Sequence, residues 1–406
     1  MGKTAFLSSD LENIEKDDGF LTFWYFLMSK YKYPLSVNIL VLNTFEETRR
    51  IWHKFERASD CYGFQTYEWL NNWFITVGKK MNIIPCLVKV EAGNGEPLML
   101  LPLGIINKYG VQCLQWMGGT VTDYHAPMLG KRFSVLVDSE IFCSLWEQIK
   151  KVLPCFDVIH FEKQPEHIYE QYNPFLYLDC WQFHEKSYSA TLDDSWENFS
   201  KSKKRKNIYA DSRRQRRRLT EIGDLKFKVA GDCHDVEMLT SKMIEQKIRR
   251  YQETGVRNLF EDDKYRSFYL DTAKELARTG IVHVSGLFLD DTIIAVHWGL
   301  IFRDRFYYLM PSYEGGPWAK YSPGRLLQEH LIKLCFDSGI KIFDFTVGDD
   351  SYKYNWADNE MELYEYYEPV NLKGKQYILI AYIRQNLKKY SNLLNSLRAV
   401  KNFLRK

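Results

Sequence analysis

A lysine between two tyrosines, Tyr352-Lys353-Tyr354, closes a stretch crowded with acids and glycine, Phe343-Asp-Phe-Thr-Val-Gly-Asp-Asp-Ser. The ammonium of Lys353 could stabilise negative charge that develops on an oxygen during a reaction. A carboxylate could take the proton that an attacking amine or hydroxyl must lose. Asp344 and Asp349 are candidates for that task, and Tyr352 is a candidate catalytic residue beside the lysine. Asp344 also reads as a buried structural aspartate, and Lys353 as a surface lysine. Upstream, Gly315-Gly-Pro and Tyr321-Ser-Pro-Gly-Arg-Leu-Leu offer different chemistry. Ser322 is placed to cap a helix with Pro323 at its first position, where the missing N–H costs nothing. Free backbone N–H groups and the positive helix end then meet at one point, which suits a phosphate or pyrophosphate. Gly315, Ser322, Pro323, Gly324 and Arg325 are the expected contacts, with Arg325 able to add a fork to phosphate oxygens. A crossover without any ligand is the other reading of this pattern.

The elements that must hold these residues are set by apolar spacing. A strand is expected from Phe306 to Met310. Leu326, Leu327, Leu331, Leu334 and Cys335 then recur at helical intervals, the helix stops at Ser338-Gly339, and a second strand occupies Ile340 to Phe345. The first half of the chain has the same plan. It has a strand at Ser36–Leu42, a helix at Phe45–Ala58, a helical segment around Tyr67, three strands between Ile83 and Trp116, a helix at Ser139–Val152 and a strand at Phe156–Phe161. The second half opens with strands at Val282–Leu289 and Thr292–Phe302, which points to a tandem duplication. Where the second copy has its glycine loop, the first has Gly118-Gly-Thr-Val-Thr-Asp-Tyr-His. Asp123, Tyr124 and His125 are therefore expected to line a cleft and bind a substrate. Tyr67 and Trp69 read as core first and as stacking surfaces second, and His297 as a core histidine.

Composition narrows the class. The chain has 406 residues, 45% of them apolar and 26% charged, with a net charge of +3. That describes a globular protein of two domains whose charge alone implies no polyanion. Eight cysteines without Cys-x-x-Cys spacing read as reduced, mostly buried thiols in a cytoplasmic protein. No run approaches the roughly eighteen apolar residues of a membrane span, and the aromatic cluster Phe20–Met28 is too short. Phosphate-loop, zinc-protease, serine-hydrolase and zinc-ribbon motifs are all missing, which leaves a transferase without a metal as the enzyme class.

Ser322-Pro-Gly-x-Leu-Leu, then Phe343-Asp-Phe-x-x-Gly and Tyr352-Lys-x-x-Trp, resemble the GNAT-type acyltransferases of the CelD/BioF2-like, FemAB-related group. Phe64-Gln-Thr-Tyr-Glu-Trp-Leu, and Trp196 with Phe199, Ser200, Arg205 and Lys206, resemble that group's other segments. The resemblance runs from about Val37 to Val370. It implies an α/β fold of tandem GNAT-like units, each a mixed, mainly antiparallel sheet flanked by helices. It implies transfer of an acyl group from acyl-CoA, acetyl-CoA first, to an amine or hydroxyl of a small-molecule, cell-envelope or polysaccharide-type precursor. Trp356, the last residue of the third motif, is then a substrate-binding candidate. The usual GNAT pyrophosphate signature is reduced here to Tyr321-Ser-Pro-Gly-Arg-Leu, with Gly324 alone. The alternatives are a Fem-like aminoacyl-tRNA ligase and a non-catalytic protein that kept the fold and binds polyanions or surfaces. Nucleic acid is expected only as tRNA in the former.

Four regions are expected: an extension at 1–33, an acceptor-side unit at 34–190, a donor-side unit at 191–375, and a basic amphipathic helix at 376–406. Between Lys201 and Arg218 lie ten Lys/Arg against one acid, Asp211, on an expected helix that could meet phosphates or present a solvated face. The tail has no acid at all, and Ile383, Leu387, Tyr390, Leu394 and Leu397 mark one face. It could rest on the inner membrane surface, giving peripheral contact, or pack on the second unit.

Overall fold

The computed structural model describes residues 36–384. The expected extension at 1–33 and the tail helix beyond Arg384 lie outside the described residues. Among those described, no helix is long and apolar enough to cross a membrane.

The first unit opens with strand β1 (Val37–Leu42) and helix α1 (Phe45–Ala58). Thr44 accepts the Glu47 N–H as N-cap, two glutamates occupy the first turn, and Arg57 sits in the last. Phe45, Thr48, Trp52 and Phe55 fall on one buried face. After β2 (Ser59–Asp60) and α2 (Tyr67–Trp73) come β3 (Ile84–Ala92), β4 (Pro97–Lys108) and β5 (Val111–Trp116). Tyr109 and Gly110, both at positive φ, form the tight β4–β5 turn, a geometry whose twist matches that of the strands. The unit ends with strand β6 (Met128–Gly130), helix α3 (Ser139–Val152), strand β7 (Val158–Pro165), a small hairpin β8–β9 (His167–Ile168, Gln171–Tyr172) and β10 (Trp181–Gln182).

The second unit has β11 (Ser187–Thr191), α4 (Trp196–Lys201), α5 (Lys206–Thr220), β12 (Leu225–Val229), α6 (Cys233–Thr254) and α7 (Asp263–Leu276). It continues with β13 (Val282–Leu289), β14 (Thr292–Phe302), β15 (Arg305–Tyr313), α8 (Pro323–Asp337), β16 (Ile342–Val347), α9 (Ser351–Trp356), β17 (Asn359–Met361) and β18 (Leu363–Pro369).

Two mixed sheets result. One runs β1-β3-β4-β5-β7-β18-β10, with β2 and β6 attached at its side, and the other β12-β13-β14-β15-β16-β11-β17. Each contains one parallel pair, β5–β7 or β15–β16, joined through α3 or α8. Outside those pairs the ladders are antiparallel. Strand β18 crosses into the first unit's sheet, between β7 and β10, while β11, at the start of the second unit, lies between β16 and β17. A cut at 190/191 therefore does not separate the sheets, because β11 lies in the second and β18 in the first. The aromatic core is also continuous across the units. Trp69 meets Phe268 edge-on at 5.0 Å, Phe64 meets Tyr307 at 5.1 Å, and the Gly63 N–H donates to the Tyr307 hydroxyl at 3.0 Å.

Two differences from the sequence expectation concern helices. The basic stretch is broken at residues 202–205 rather than forming one helix. Arg205 is buried there, stacked 3.8 Å from the Phe199 ring centroid and donating to the Trp356 carbonyl and Asp358, while Lys204 donates to the Ala357 carbonyl. Helices α6 and α7 were not expected at all, and they cover one face of the second sheet.

Candidate active site

Strands β15 and β16 pair only where Arg305–Tyr307 face Ile342–Asp344. Beyond that they part: β15 continues beside β14 to Tyr313, and β16 continues beside β11 to Val347. The split leaves a wedge with unpaired backbone edges. At its open end, β15 runs into the Gly315 loop and the start of α8, and β16 runs into the Gly348–Asp350 loop and α9.

At the start of α8, Pro323 takes the first helical position as expected. Ser322 does not cap with its side chain. It adopts a left-handed conformation (φ 52°, ψ 51°), and its carbonyl accepts from the Arg325 and Leu326 N–H groups at 3.0 and 3.2 Å. Gly324 lies against β15, since a Cβ there would stand 3.0 Å from Tyr313 Cδ1. At Gly315 a side chain would collide with the Arg249 guanidinium, which donates to the Tyr313 carbonyl. Arg325 is half-buried and paired with Asp211 of α5.

The other crossover helix differs. Asp138 caps α3 by accepting the Ile141 N–H at 2.8 Å, and Glu140 stands in the first turn, so carboxylates fill the position where an anion would bind. Helix α8 has no acid in its first turn and no side-chain cap.

Lys353 is 3% exposed. Its Nζ donates to the Val347 carbonyl at 2.8 Å and to that of Thr346 at 3.3 Å, with the Asp350 carboxylate 4.0 Å away. Burial lowers its pKa, and Asp350, Asp123 and Asp344 act against that. The turn that aims these carbonyls is strained: Thr346, a β-branched residue, has φ 59°. Asp344 holds it. This carboxylate is fully buried, with Oδ1 accepting from Tyr124 Oη and the Thr346 N–H, both at 2.8 Å, and Oδ2 facing Arg305 Nη1 at 2.6 Å. Both oxygens are occupied, so the contacts of Asp344 are those of a buried positioning group. Asp349 is exposed and accepts from Tyr188 Oη at 2.9 Å. Tyr352 is half-buried near Tyr308, and burial raises its pKa.

Four of the five substrate-binding candidates lie inside the protein. Trp356 is 1% exposed under Phe199 and Arg205, and Tyr67 packs among Phe45, Trp52 and His53. Tyr124 is a core residue tied to Asp344. His125 is buried with Nδ1 3.1 Å from the Glu162 carbonyl, and burial pushes its pKa down to about 4. Asp123 does line a cleft of about 860 Å³ between the units, together with Ile106, Tyr109, Tyr251, Tyr269 and Met310. Its carboxylate lies 3.7 Å from Lys163 Nζ.

Sequence reasoning missed Lys247 on α6. Its charge interacts with Lys353 and Asp350, and it comes after Val236, Leu239 and Met243 on the helix's apolar face. That face carried the signal, a lysine at a core-facing position.

A family model described as an acetyltransferase (GNAT) domain matches residues 202–354, the span that contains the wedge, α8 and Lys353. The crystal structure of FemX is similar over 80% of this chain and 96% of its own, with a TM-score of 0.55 at 12% identity. The C-terminal domain of a protein described as a lysylphosphatidylglycerol synthetase, from Agrobacterium fabrum, covers 84% and 97%, with a TM-score of 0.50 at 10% identity. No curated protein sequence matches the chain. At such identities the likeness is one of fold. The architecture is that of GNAT-like units in tandem, mixed sheets flanked by helices, and the class to which fold and matched domain point is that of GNAT-type transferases.

Proposed function

We propose that this chain is an acyltransferase whose donor is an acyl-CoA, acetyl-CoA first, and whose acceptor is an amine or hydroxyl entering through the cleft between the units. The observation that carries this is the contrast between the crossover helices. A carboxylate cap closes α3 to anions, whereas α8, at the mouth of a split strand pair, has no acid of its own in its first turn and no side-chain cap, its nearest carboxylate being the Asp211 partner of Arg325. The unpaired edges of β15 and β16 offer backbone partners to the amides of the pantetheine arm.

Of the three N–H bonds of Lys353, two point at carbonyls. The third is available to the thioester carbonyl oxygen. As the acceptor attacks, the C=O electrons move onto that oxygen, and the ammonium stabilises the charge. Collapse expels the CoA thiolate. The resemblance to the CelD/BioF2-like, FemAB-related group, with the likeness to the synthetase domain, supports an envelope or polysaccharide-type precursor as acceptor. It also supports a working place in the cytoplasm at the inner membrane face.

Calorimetry with acetyl-CoA tests the donor site. Gly324→Asp adds a carboxylate to the first turn and should weaken binding at least tenfold, while Gly324→Ala, the control for the added Cβ, binds nearly as wild type. Equal affinity of a folded Gly324→Asp protein would remove the phosphates from this helix start. A second reading, an aminoacyl-tRNA donor, is favoured by the exposed cations of α5, which Asp211 ties to Arg325. Filter binding of charged tRNA by a protein that ignores acetyl-CoA would establish it instead.

A further inference from the structure

Among the described residues, 372–384 form one further helix, α10, which follows β18. One side of it docks on the first sheet. Tyr377 Oη lies 2.9 Å from His160 Nδ1 of β7, Tyr377 and Ile378 pack on the core, and a Cβ at Gly374 would collide with the Asp157 carbonyl oxygen. At about 3.6 residues per turn, Leu372, Leu379 and Ile383 fall on the opposite side. They are 75%, 59% and 48% exposed, and Ile380 borders them in the open as well. Aligned exposed residues of this kind make a patch rather than a scatter. Lys375 flanks the stripe on one side, and Lys373 and Arg384 flank it on the other. All three are exposed and without an ion pair among the described residues. The Arg384 guanidinium lies 5.8 Å from the ring centroid of Tyr109, which is 91% exposed on the β4–β5 turn and lines the cleft together with Lys108. Val256 and Arg257, also exposed, line the same cleft. The helix end therefore stands beside the cleft's rim.

We infer that α10 and the Tyr109 turn dock this chain on an anionic lipid surface, the stripe entering the acyl boundary while Lys373, Lys375 and Arg384 meet headgroup phosphates. The inference rests on the working place at the inner membrane face proposed above, and it adds the surface that makes the contact. Charge selects lipid over the other occupants. An apolar stripe with cations on both flanks, on a helix that holds no acid, complements hydrocarbon beneath anionic headgroups. A second copy of the stripe would set the same cations against each other. The Phe20–Met28 segment is apolar but uncharged, and would leave them unanswered. The pattern persists in the sequence past Arg384. Residues 385–406 hold six Lys/Arg and no acid, with Leu387, Tyr390, Leu394 and Leu397 at helical intervals. Apolar burial and charge attraction add in such binding. Docked this way, the rim at Tyr109 lies at the bilayer surface, and an acceptor carried by a lipid reaches the cleft without leaving the membrane.

Co-sedimentation of the full chain with vesicles tests this and needs no substrate. Wild type should bind vesicles of phosphatidylcholine mixed with phosphatidylglycerol, bind phosphatidylcholine alone far less, and come off as salt rises. Leu379→Glu with Ile383→Glu should lower the partition coefficient about tenfold or more, and so should Lys373→Glu with Lys375→Glu. Ile222→Glu, at an exposed apolar residue just after α5, should bind as wild type does. Because the stripe faces solvent, the melting temperature and the mass by light scattering should not change in any of these proteins. Binding that survives the Leu379 and Ile383 substitutions would overturn this surface and leave membrane contact to another part of the chain. A wild type that ignores anionic vesicles would overturn both the surface and the working place. A melting temperature several degrees lower in the Leu379→Glu, Ile383→Glu protein, or a dimer lost, would give the stripe to the Phe20–Met28 segment or to a second copy, and overturn the inference too. Calorimetry with acetyl-CoA on the same proteins keeps the donor reading separate, since none of the substituted residues lies at the wedge or at the start of α8.

Discussion

Lys353 is held by backbone carbonyls rather than by a close counter-ion, and this shapes what its loss should do. A carbonyl pair orients the ammonium without neutralising it, so its charge stays available to an oxyanion. The same burial that lowers its pKa makes the interaction stronger than it would be in water. Lys353→Met, similar in length and apolar, should lower kcat by about 10²–10³-fold with little change in KM, because the contact strengthens only as charge develops. Single-turnover kinetics measures this directly, and a rate within threefold of wild type would leave Lys353 as a structural lysine. Asp344 acts through others: with Arg305 and Tyr124 it holds the left-handed Thr346 whose carbonyl the lysine uses.

At the scale of elements, charge density on α5 overstates the charge that is free. Arg216 pairs with the buried Glu329 of α8 at 3.2 Å, Arg214 with Asp211, and Arg217 lies 3.6 Å from Glu221. Reversing Arg216 would therefore break a contact that docks α5 on α8 and confuse binding with folding. Lys203, Lys206, Arg213 and Arg218 are exposed and without ion pairs among the described residues. Changing these four to Glu should leave the melting temperature within a few degrees. If α5 meets a phosphate-rich ligand, the change should also weaken retention on heparin or binding of charged tRNA, and flatten the salt dependence. Unaltered binding at every salt concentration would assign α5 to a solvated face with a docking role.

For the whole molecule, the placing of β18 and β11 decides what can fold alone. Strand β18 fills the place between β7 and β10, and β11 the place between β16 and β17. A fragment of residues 36–190 would lack β18 and expose the edge of β7, while carrying β11 without its partners. Expressed separately, 36–190 and 191–384 should be insoluble or molten. Co-expression should recover a soluble complex with cooperative melting. Independent, cooperative unfolding of either piece in circular dichroism would contradict this coupling. The shared aromatic core, with Trp69 against Phe268 and Phe64 against Tyr307, works in the same direction.

The sequence by itself determined the local elements and the tandem plan. Helices Phe45–Ala58 and Ser139–Val152 and strands Val111–Trp116, Val282–Leu289 and Thr292–Phe302 stand where apolar spacing and turn residues place them, because those signals are local. The crossover around Pro323 and Gly324 was legible for the same reason, but not the parting of its two strands. Helices α6 and α7 were not, since long amphipathic segments with interspersed charge hide their period. Only the tertiary structure decided which strand completes which sheet, because β10, β11, β17 and β18 are short and their ladders join distant segments. It also decided the fates of polar residues. Arg325 found Asp211, Arg205 a carbonyl and a carboxylate, and Asp344 the arginine and tyrosine that seal it. Lys353 was left with its ammonium on the Val347 and Thr346 carbonyls. Spacing along a chain fixes which face a side chain takes, but the charge it meets comes from wherever the fold brings another segment.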